Sequence, residues 1–238
     1  MNELQMTPSS AFTATAAGAA ERVTAFLRKV YGWMFVGLGL TGAVAVGVAS
    51  SPTLVQTIFS NRILFFGLIL AELGMVFYLS ARVEKVAPST ASALFLVYSA
   101  LNGATLSFIF LAYTGASIAT TFFVAAGMFG ALALYGTTTK RSLAGVGQFM
   151  FMGLIGLILA SVVGIFWHSA ALQFAISVVG VIVFTGLTAW DAQRLKAMAL
   201  AVPEGRVGSY AVVGALSLYL DFINLFLFLL RFMGNRRG

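Results

Sequence analysis

The sequence predicts an all-α polytopic membrane protein with seven transmembrane helices. Of the 238 residues, 60% are hydrophobic and only 9% are charged, and the mean hydropathy is +0.98. A soluble domain carries roughly a quarter charged residues, so this composition cannot supply a water-facing surface. A membrane span needs about 20 apolar residues. The chain contains seven apolar runs of about that length, which fills it with spans and leaves little for a soluble domain.

The seven runs are separated by short breaks of ordinary loop length. They lie at roughly 30 to 50, 63 to 81, 91 to 113, 117 to 136, 149 to 166, 172 to 190 and 209 to 232. The breaks contain residues that interrupt helices, such as Pro52 and Pro88. The Ala, Ser and Thr-rich start lacks the basic region and apolar core of a signal peptide. We therefore expect a disordered tail over residues 1 to 20 and a single seven-helix transmembrane domain over residues 21 to 238.

The basic residues act as topology signals. There are 14 Lys and Arg against seven Asp and Glu, but because the bases lie between apolar runs, no nucleic-acid partner is expected. With seven crossings, ten bases lie on the side of the N-terminus, and the other side holds Arg62, Arg231, Arg236 and Arg237. The positive-inside rule then places the N-terminus in the cytoplasm. If the last run re-entered instead of crossing, the balance would be thirteen against one; seven crossings are favoured, and re-entry stays open.

Three acids lie inside or beside apolar runs: Glu72, Asp191 and Asp221. A charged side chain at the centre of a bilayer costs roughly 3 kcal/mol even on lenient scales, so such residues usually face a bundle interior, a cavity or a partner. Each is therefore a functional-site hypothesis. In the predicted topology the sixth span descends to the cytoplasm at Asp191, the second descends to Arg82 and the seventh rises through Asp221, so these three residues could meet in the cytoplasmic half.

Polar neighbours accompany the two aspartates at helical spacing. Ser217, Asp221 and Asn224 fall at i, i+4 and i+7 and share one face of the last run. On the sixth run, Thr188 and Asp191 continue a second, weaker polar line. We expect Ser217, Asn224 and Thr188, together with Glu72, to line a pore or to support the acids.

Two stretches resemble the signatures of the Bax inhibitor-1 family. They read GLTAWDAQRLK at 186 to 196 and ALSLYLDFINLFLFLLR at 215 to 231, and the resemblance covers the whole hydrophobic region. It implies a fold of seven helices whose C-terminal helix is central and surrounded by the other six. It also implies a pH-sensitive calcium leak, in which Asp191 and Asp221 form a hydrogen-bonded sensor pair and Arg82 is the basic latch of the closed state. The latch region, ARVEK at 81 to 85, is less basic than in close relatives.

The chemistry of a carboxylate pair suits a switch. Two carboxylates within hydrogen-bonding reach in a low-dielectric site cannot easily both ionise, so they are expected to share one proton near neutrality. Loss of that proton leaves two like charges, which would push the sixth and seventh helices apart or draw in a cation or Arg82. Calcium prefers several oxygen ligands. We therefore expect Asp191 and Asp221 to bind it only weakly and transiently, as conduction requires.

Other function classes remain open. An enzyme is not expected, because the chain has no cysteine and neither aspartate lies in the GxGD motif of intramembrane aspartyl proteases. A proton-coupled cation transporter would use the same intramembrane acids. A regulatory protein would instead bind a membrane partner, and the resemblance suggests a membrane protease or a cell-death factor.

The expected surroundings follow from the same observations. The lipid bilayer, calcium and protons are the expected partners, with calcium as the permeant ion and no cofactor. The chain is compact and lacks a transit or retention signal. We therefore expect an integral protein of the bacterial inner membrane.

Overall fold

A computed structural model describes residues 8–167 and 169–237, and that part of the chain is helical with short connections. Its α-helices are α1 Pro8–Ala49, α2 Pro52–Ser60, α3 Arg62–Ala81, α4 Pro88–Leu106, α5 Phe108–Ala112, α6 Gly115–Thr138, α7 Ala144–Phe166, α8 Ala170–Ala201 and α9 Val207–Met233. Seven spans are long and apolar enough to cross a membrane: α1, α3, α4 continued by α5, α6, α7, α8 and α9. The predicted fold class, an all-α membrane protein with seven spans, is confirmed.

Two helices extend well beyond the apolar runs that predicted them. Helix α1 begins at Pro8, so residues 8–20 are helical in place of the disordered tail predicted there, and residues 1–7 lie outside the described residues. Helix α8 continues to Ala201, because residues 192–201 are mostly strong helix formers. Leu195 and Ala199 of this extension are buried in the core. Asp191 therefore lies within a continuous helix and not at a helix end.

The spans differ sharply in how much protein covers them. In the most apolar stretch of α3 only 6% of the positions are buried, and in α7 only 11%, against 67% in α9. Large apolar side chains on the outer spans, such as Phe77 and Phe166, are exposed. On a soluble protein so large an apolar surface would cause aggregation. In a bilayer this surface faces lipid.

Helix α9 is the most buried span. It packs against α1, α4, α6 and α8, and more lightly against α3. Helix α6 approaches α8 closely at Gly136, where a β-carbon would collide with the backbone of Ala189. Helix α7 packs on α8, and a groove lies between α7 and α9. That all six other spans surround α9 stays a prediction.

Helix α9 joins opposite ends of the bundle. At its start the Ser209 hydroxyl donates to the Val86 carbonyl oxygen at 2.8 Å, in the α3–α4 loop. Past its end, the Arg237 amide donates to the Ala112 carbonyl oxygen at 3.0 Å, beside the α5–α6 loop. Because α4 and α5 run between these two loops, α9 traverses the whole bundle, and its 27 residues give a length of about 40 Å. The last segment is thus one continuous helix from end to end of the bundle, which is the geometry of a full crossing and not of re-entry.

Candidate functional site

Two aspartates on the adjacent helices α8 and α9 form the most unusual polar feature of the bundle. Asp221 of α9 is 5% exposed, and the side chain of Asp191 on α8 is 13% exposed. The two side chains lie on helices α8 and α9, which pack extensively against each other. The structure thus brings together the two acids that the sequence singled out. The hydrogen bond between them stays a prediction.

Each of these carboxyl groups keeps a buried oxygen without a hydrogen-bond partner. The two atoms are Oδ1 of Asp191 and Oδ2 of Asp221. Buried polar atoms are nearly always paired, and an unpaired one costs free energy. A bound proton or a cation would satisfy both oxygens. Such orphaned atoms are what a proton or ion site requires.

The arginine beside the pair is Arg194, one helical turn after Asp191. Its Nη1 lies 3.9 Å from Asp191 Oδ1, which makes an ion pair too long for a hydrogen bond. Among the described residues this is the one ion pair between side chains. Arg82, the predicted latch, is the exposed C-cap residue of α3 and pairs with neither aspartate. The i, i+3 spacing from Asp191 could have identified Arg194 in the sequence.

The predicted polar face of α9 runs between two cavities. Ser217 lines a cavity of about 40 Å³ together with Asp191 and Arg194. Asn224 lines a larger cavity of about 660 Å³ between α7, α8 and α9. Asp221 lies between Ser217 and Asn224 on α9, and therefore between the two cavities.

Thr188, the predicted polar neighbour of Asp191 on α8, forms its hydrogen bond within its own helix. It is fully buried on α8, and its hydroxyl donates to the Phe184 carbonyl oxygen of the same helix at 2.7 Å. This bond satisfies the hydroxyl within α8. Thr188 therefore fits a supporting role better than a pore-lining one.

Glu72 belongs to a different hydrogen-bonded group. Its Oε2 accepts from Asn102 Nδ2 at 3.1 Å, and its Oε1 accepts from Thr105 Oγ1 at 3.0 Å. Asn102 Oδ1 in turn accepts from the Tyr219 hydroxyl at 2.9 Å. That hydroxyl lies 2.6 Å from Thr41 Oγ1. We call these five residues the Glu72 cluster; they link α3, α4, α9 and α1.

The sequence analysis missed every partner of Glu72. Asn102 and Thr105 occupy an i, i+3 pair near the end of α4, and Asn102 carries the one side-chain amide of this helix, which is a signal that could have flagged them. Thr41 and Tyr219 give no such signal, since single hydroxyls are common in transmembrane helices.

Among the described residues, no group of three or more His, Cys, Asp or Glu side chains lies close enough to hold a metal ion.

Comparison with known proteins gives a consistent family. The family described as "Inhibitor of apoptosis-promoting Bax1" matches residues 23–238. The chain is 52% identical over 215 residues to inner membrane protein YbhL of Escherichia coli strain K12, covering 89% of this chain and 92% of that protein. An uncharacterized protein of Borreliella burgdorferi is 46% identical, with 90% and 93% of the two chains covered. One of Rickettsia prowazekii is 44% identical, with 91% and 92% covered.

Proposed function

The chain belongs to the Bax inhibitor-1 family, and on that premise we propose that it is a pH-sensitive calcium leak channel gated by Asp191 and Asp221. The observation that carries the proposal is the pair of buried carboxyl oxygens without hydrogen-bond partners. A channel that conducts when a proton leaves needs such a group in its interior. The family's bacterial relative YbhL is an inner membrane protein, and we propose the same membrane here.

The gate works through the charge of the pair. With one proton shared, α8 and α9 stay together and the path is closed. When the proton leaves, two negative charges face each other in a low-dielectric site, and their repulsion separates the helices or attracts a cation. Calcium entering there meets only the oxygens of Asp191 and Asp221, so it binds weakly and leaves again.

The cavities on either side of Asp221 supply the proposed path. Ser217 faces the smaller cavity and Asn224 the larger one. Seven residues of α-helix separate these two positions by about 10 Å along the axis. Only the stretch around Asp221 then has to open for the cavities to join. This is a short closed segment, as expected for a gate.

The proposed function also specifies the orientation of the protein in the membrane and the ions that it conducts and senses. The N-terminus lies in the cytoplasm, so Asp191 and the smaller cavity lie in the cytoplasmic half and respond to cytoplasmic pH. Calcium is the permeant ion, protons are the regulator, and the chain acts as a conductance without enzymatic activity. The basic residue that acts on the pair is then Arg194 and not Arg82, and its positive charge favours loss of the shared proton.

The test is calcium flux into proteoliposomes from pH 5 to pH 8. Wild type is compared with Asp191→Asn, Asp221→Asn and the double variant, and Glu72→Gln is the control because it neutralises an intramembrane acid outside the pair. We expect flux that rises with pH in wild type and in Glu72→Gln. The pair variants are expected to lose this pH dependence, since they cannot form two adjacent negative charges.

Other outcomes would move the conclusion to another function. Folded wild type without calcium flux at any pH would overturn the channel. Flux that saturates and depends on an opposing proton gradient would indicate a proton-coupled transporter. A role that binds a membrane partner would survive the double aspartate variant, whereas the leak would not.

A further inference from the structure

Two neighbouring cavities lie at the predicted outer ends of α7, α8 and α9. The larger, of about 660 Å³, is a groove with mostly apolar walls that include Ile158 and Val162 of α7. The smaller, of about 360 Å³, is lined by Arg231 and Arg236. Gln173 lines both cavities, and so does Arg231. The apolar groove therefore ends at a cationic pocket.

Within the described residues, no acidic side chain pairs with the arginines of this pocket. The sequence contains no Asp or Glu between Glu84 and Asp191, and none after Asp221. Among the described residues the one side-chain ion pair is that of Arg194, at the other end of the bundle. The arginines at the predicted outer end are thus available for an anion from outside the protein.

Arg231 is held in place but keeps most of its donors. Its Nη1 donates to Gln173 Oε1 at 3.3 Å, and its guanidinium lies over the Phe228 ring at 5.9 Å. A guanidinium carries five N–H donors. The Phe228 ring is itself fixed, because it stacks on Phe184 at 5.8 Å. The arginine is oriented in advance to bind a planar or tetrahedral anion.

We propose that the two cavities together bind one anionic phospholipid. Its phosphate lies between Arg231 and Arg236, and one acyl chain lies in the groove between α7 and α9. Arginine pairs well with phosphate through parallel N–H···O bonds. The groove's volume falls within the range of about 300–1,000 Å³ that is usual for ligand pockets.

A lipid fits this place better than other anions or a peptide. The groove opens on α7, a span with little protein cover, so an acyl chain can enter from the bilayer. A soluble anion would fill the cationic pocket and leave the apolar groove empty. The lipid also accounts for two C-terminal arginines, Arg231 and Arg236, on the side where the positive-inside rule does not expect them.

Phospholipid binding in the groove does not depend on calcium conduction. Asn224 lines the same groove, so a bound acyl chain would narrow the outer part of the proposed path. Binding of the lipid can nevertheless be measured in a protein that conducts nothing. Failure of one proposal therefore leaves the other standing.

The experiment is native mass spectrometry of the full-length protein with phosphatidylglycerol or phosphatidylethanolamine of identical acyl chains. We expect a preference for phosphatidylglycerol in wild type. Arg231→Gln and Arg236→Gln are each expected to reduce this preference roughly tenfold, because each removes one charge-assisted contact. Arg62→Gln is the matched control, since Arg62 is also at the predicted outer end but lines a separate surface pocket; it should keep the full preference.

Two further arms test the acyl part and the source of the anion. Ser161→Phe places a ring in the groove and should reduce binding of phosphatidylglycerol while leaving both arginines intact. Glycerol 3-phosphate should not displace the lipid, because it lacks the chain. Equal binding of the two lipids, unchanged binding in the double arginine variant, or full displacement by glycerol 3-phosphate would each overturn the proposal.

Discussion

The Glu72 cluster and the aspartate pair place carboxyl groups inside the same bundle in opposite ways. Both oxygens of Glu72 accept hydrogen bonds, one from Asn102 and one from Thr105. Asp191 and Asp221 each keep a buried oxygen with no partner. Glu72 lies on the outer helix α3, whereas the aspartates lie on α8 and α9, which pack extensively against each other.

This difference separates an acid that holds helices together from an acid that is free to react. A satisfied carboxylate gains stability from its partners and loses it when they are removed. An unsatisfied buried carboxyl group costs stability, so its presence calls for a functional explanation. Burial alone would not have distinguished the two. The hydrogen-bond partners do.

The largest expected effect is loss of stability when Glu72 is removed. In Glu72→Leu the side-chain amide of Asn102 loses its acceptor inside the bundle, while the Thr105 hydroxyl keeps the Asn102 carbonyl oxygen at 3.0 Å as an alternative acceptor. We expect the free energy of unfolding to fall by about 2 kcal/mol. Circular dichroism during titration with sodium dodecyl sulfate in mixed micelles measures it. Glu84→Leu, in the exposed α3–α4 loop, is the control and should change stability by less than about 0.5 kcal/mol.

A compensated variant sharpens this first prediction. Adding Asn102→Leu and Thr105→Val to Glu72→Leu removes the unpaired donors as well, and much of the lost stability should return. If the compensated protein is as unstable as Glu72→Leu alone, packing and not hydrogen bonding explains the loss. That result would remove the contrast with the aspartates.

The next effect in size concerns Tyr219, the link between the Glu72 cluster and α9. Tyr219→Phe keeps the ring, which packs edge-to-face on Phe95 and Tyr98, and removes only the hydroxyl. We expect a loss of about 1 kcal/mol in unfolding free energy. In a double-mutant cycle with Asn102→Ala the two losses should not add, because the residues share one bond. Additive losses would show that this bond contributes nothing.

Some parts of the contrast between Glu72 and the aspartates could be predicted from the sequence, because hydropathy and charge are visible along the chain. Hydropathy located the seven spans, and acids within apolar runs identified Glu72, Asp191 and Asp221. Hydropathy also placed the end of the sixth span at 190, because Arg194 and Lys196 lower the hydropathy of the residues that follow. The backbone nevertheless stays helical to Ala201. Arg194 was therefore assigned to a loop and overlooked as the neighbour of Asp191.

The contacts between Glu72 and its partners could not be predicted from a linear pattern. Asn102 is 30 residues away from Glu72 along the chain, and Tyr219 is 117 residues from Asn102. These residues meet only because α3, α4 and α9 pack side by side, and helix packing is not encoded in any local spacing. A sequence shows which acids need an explanation. Whether the explanation is structural or functional depends on tertiary contacts.

A smaller effect of opposite sign is expected at Asp221. Asp221→Asn keeps the shape of the side chain and removes the ionisable group that lacks a partner. We expect the unfolding free energy to stay the same or to rise by up to about 1 kcal/mol, as is common when an unfavourable functional group is replaced. The same detergent titration measures it, with Asn224→Asp as a variant that adds an acid one turn away and should destabilise. A loss in Asp221→Asn comparable to that in Glu72→Leu would place Asp221 among the structural acids.

The smallest effect on stability, with the clearest effect on gating, is expected at Arg194. Its guanidinium is largely exposed and lies 3.9 Å from Asp191, so Arg194→Gln should change the unfolding free energy by less than about 0.5 kcal/mol. A nearby positive charge favours the ionised form of a carboxyl group. Without Arg194 the pair holds its proton more readily, and calcium flux should reach half its maximum at a higher pH than in wild type. Arg82→Gln is the matched control, since Arg82 pairs with neither aspartate, and should leave that pH unchanged. If Arg82→Gln shifts the midpoint and Arg194→Gln does not, the basic residue that acts on the pair is the one at the end of α3, as the sequence motif suggested.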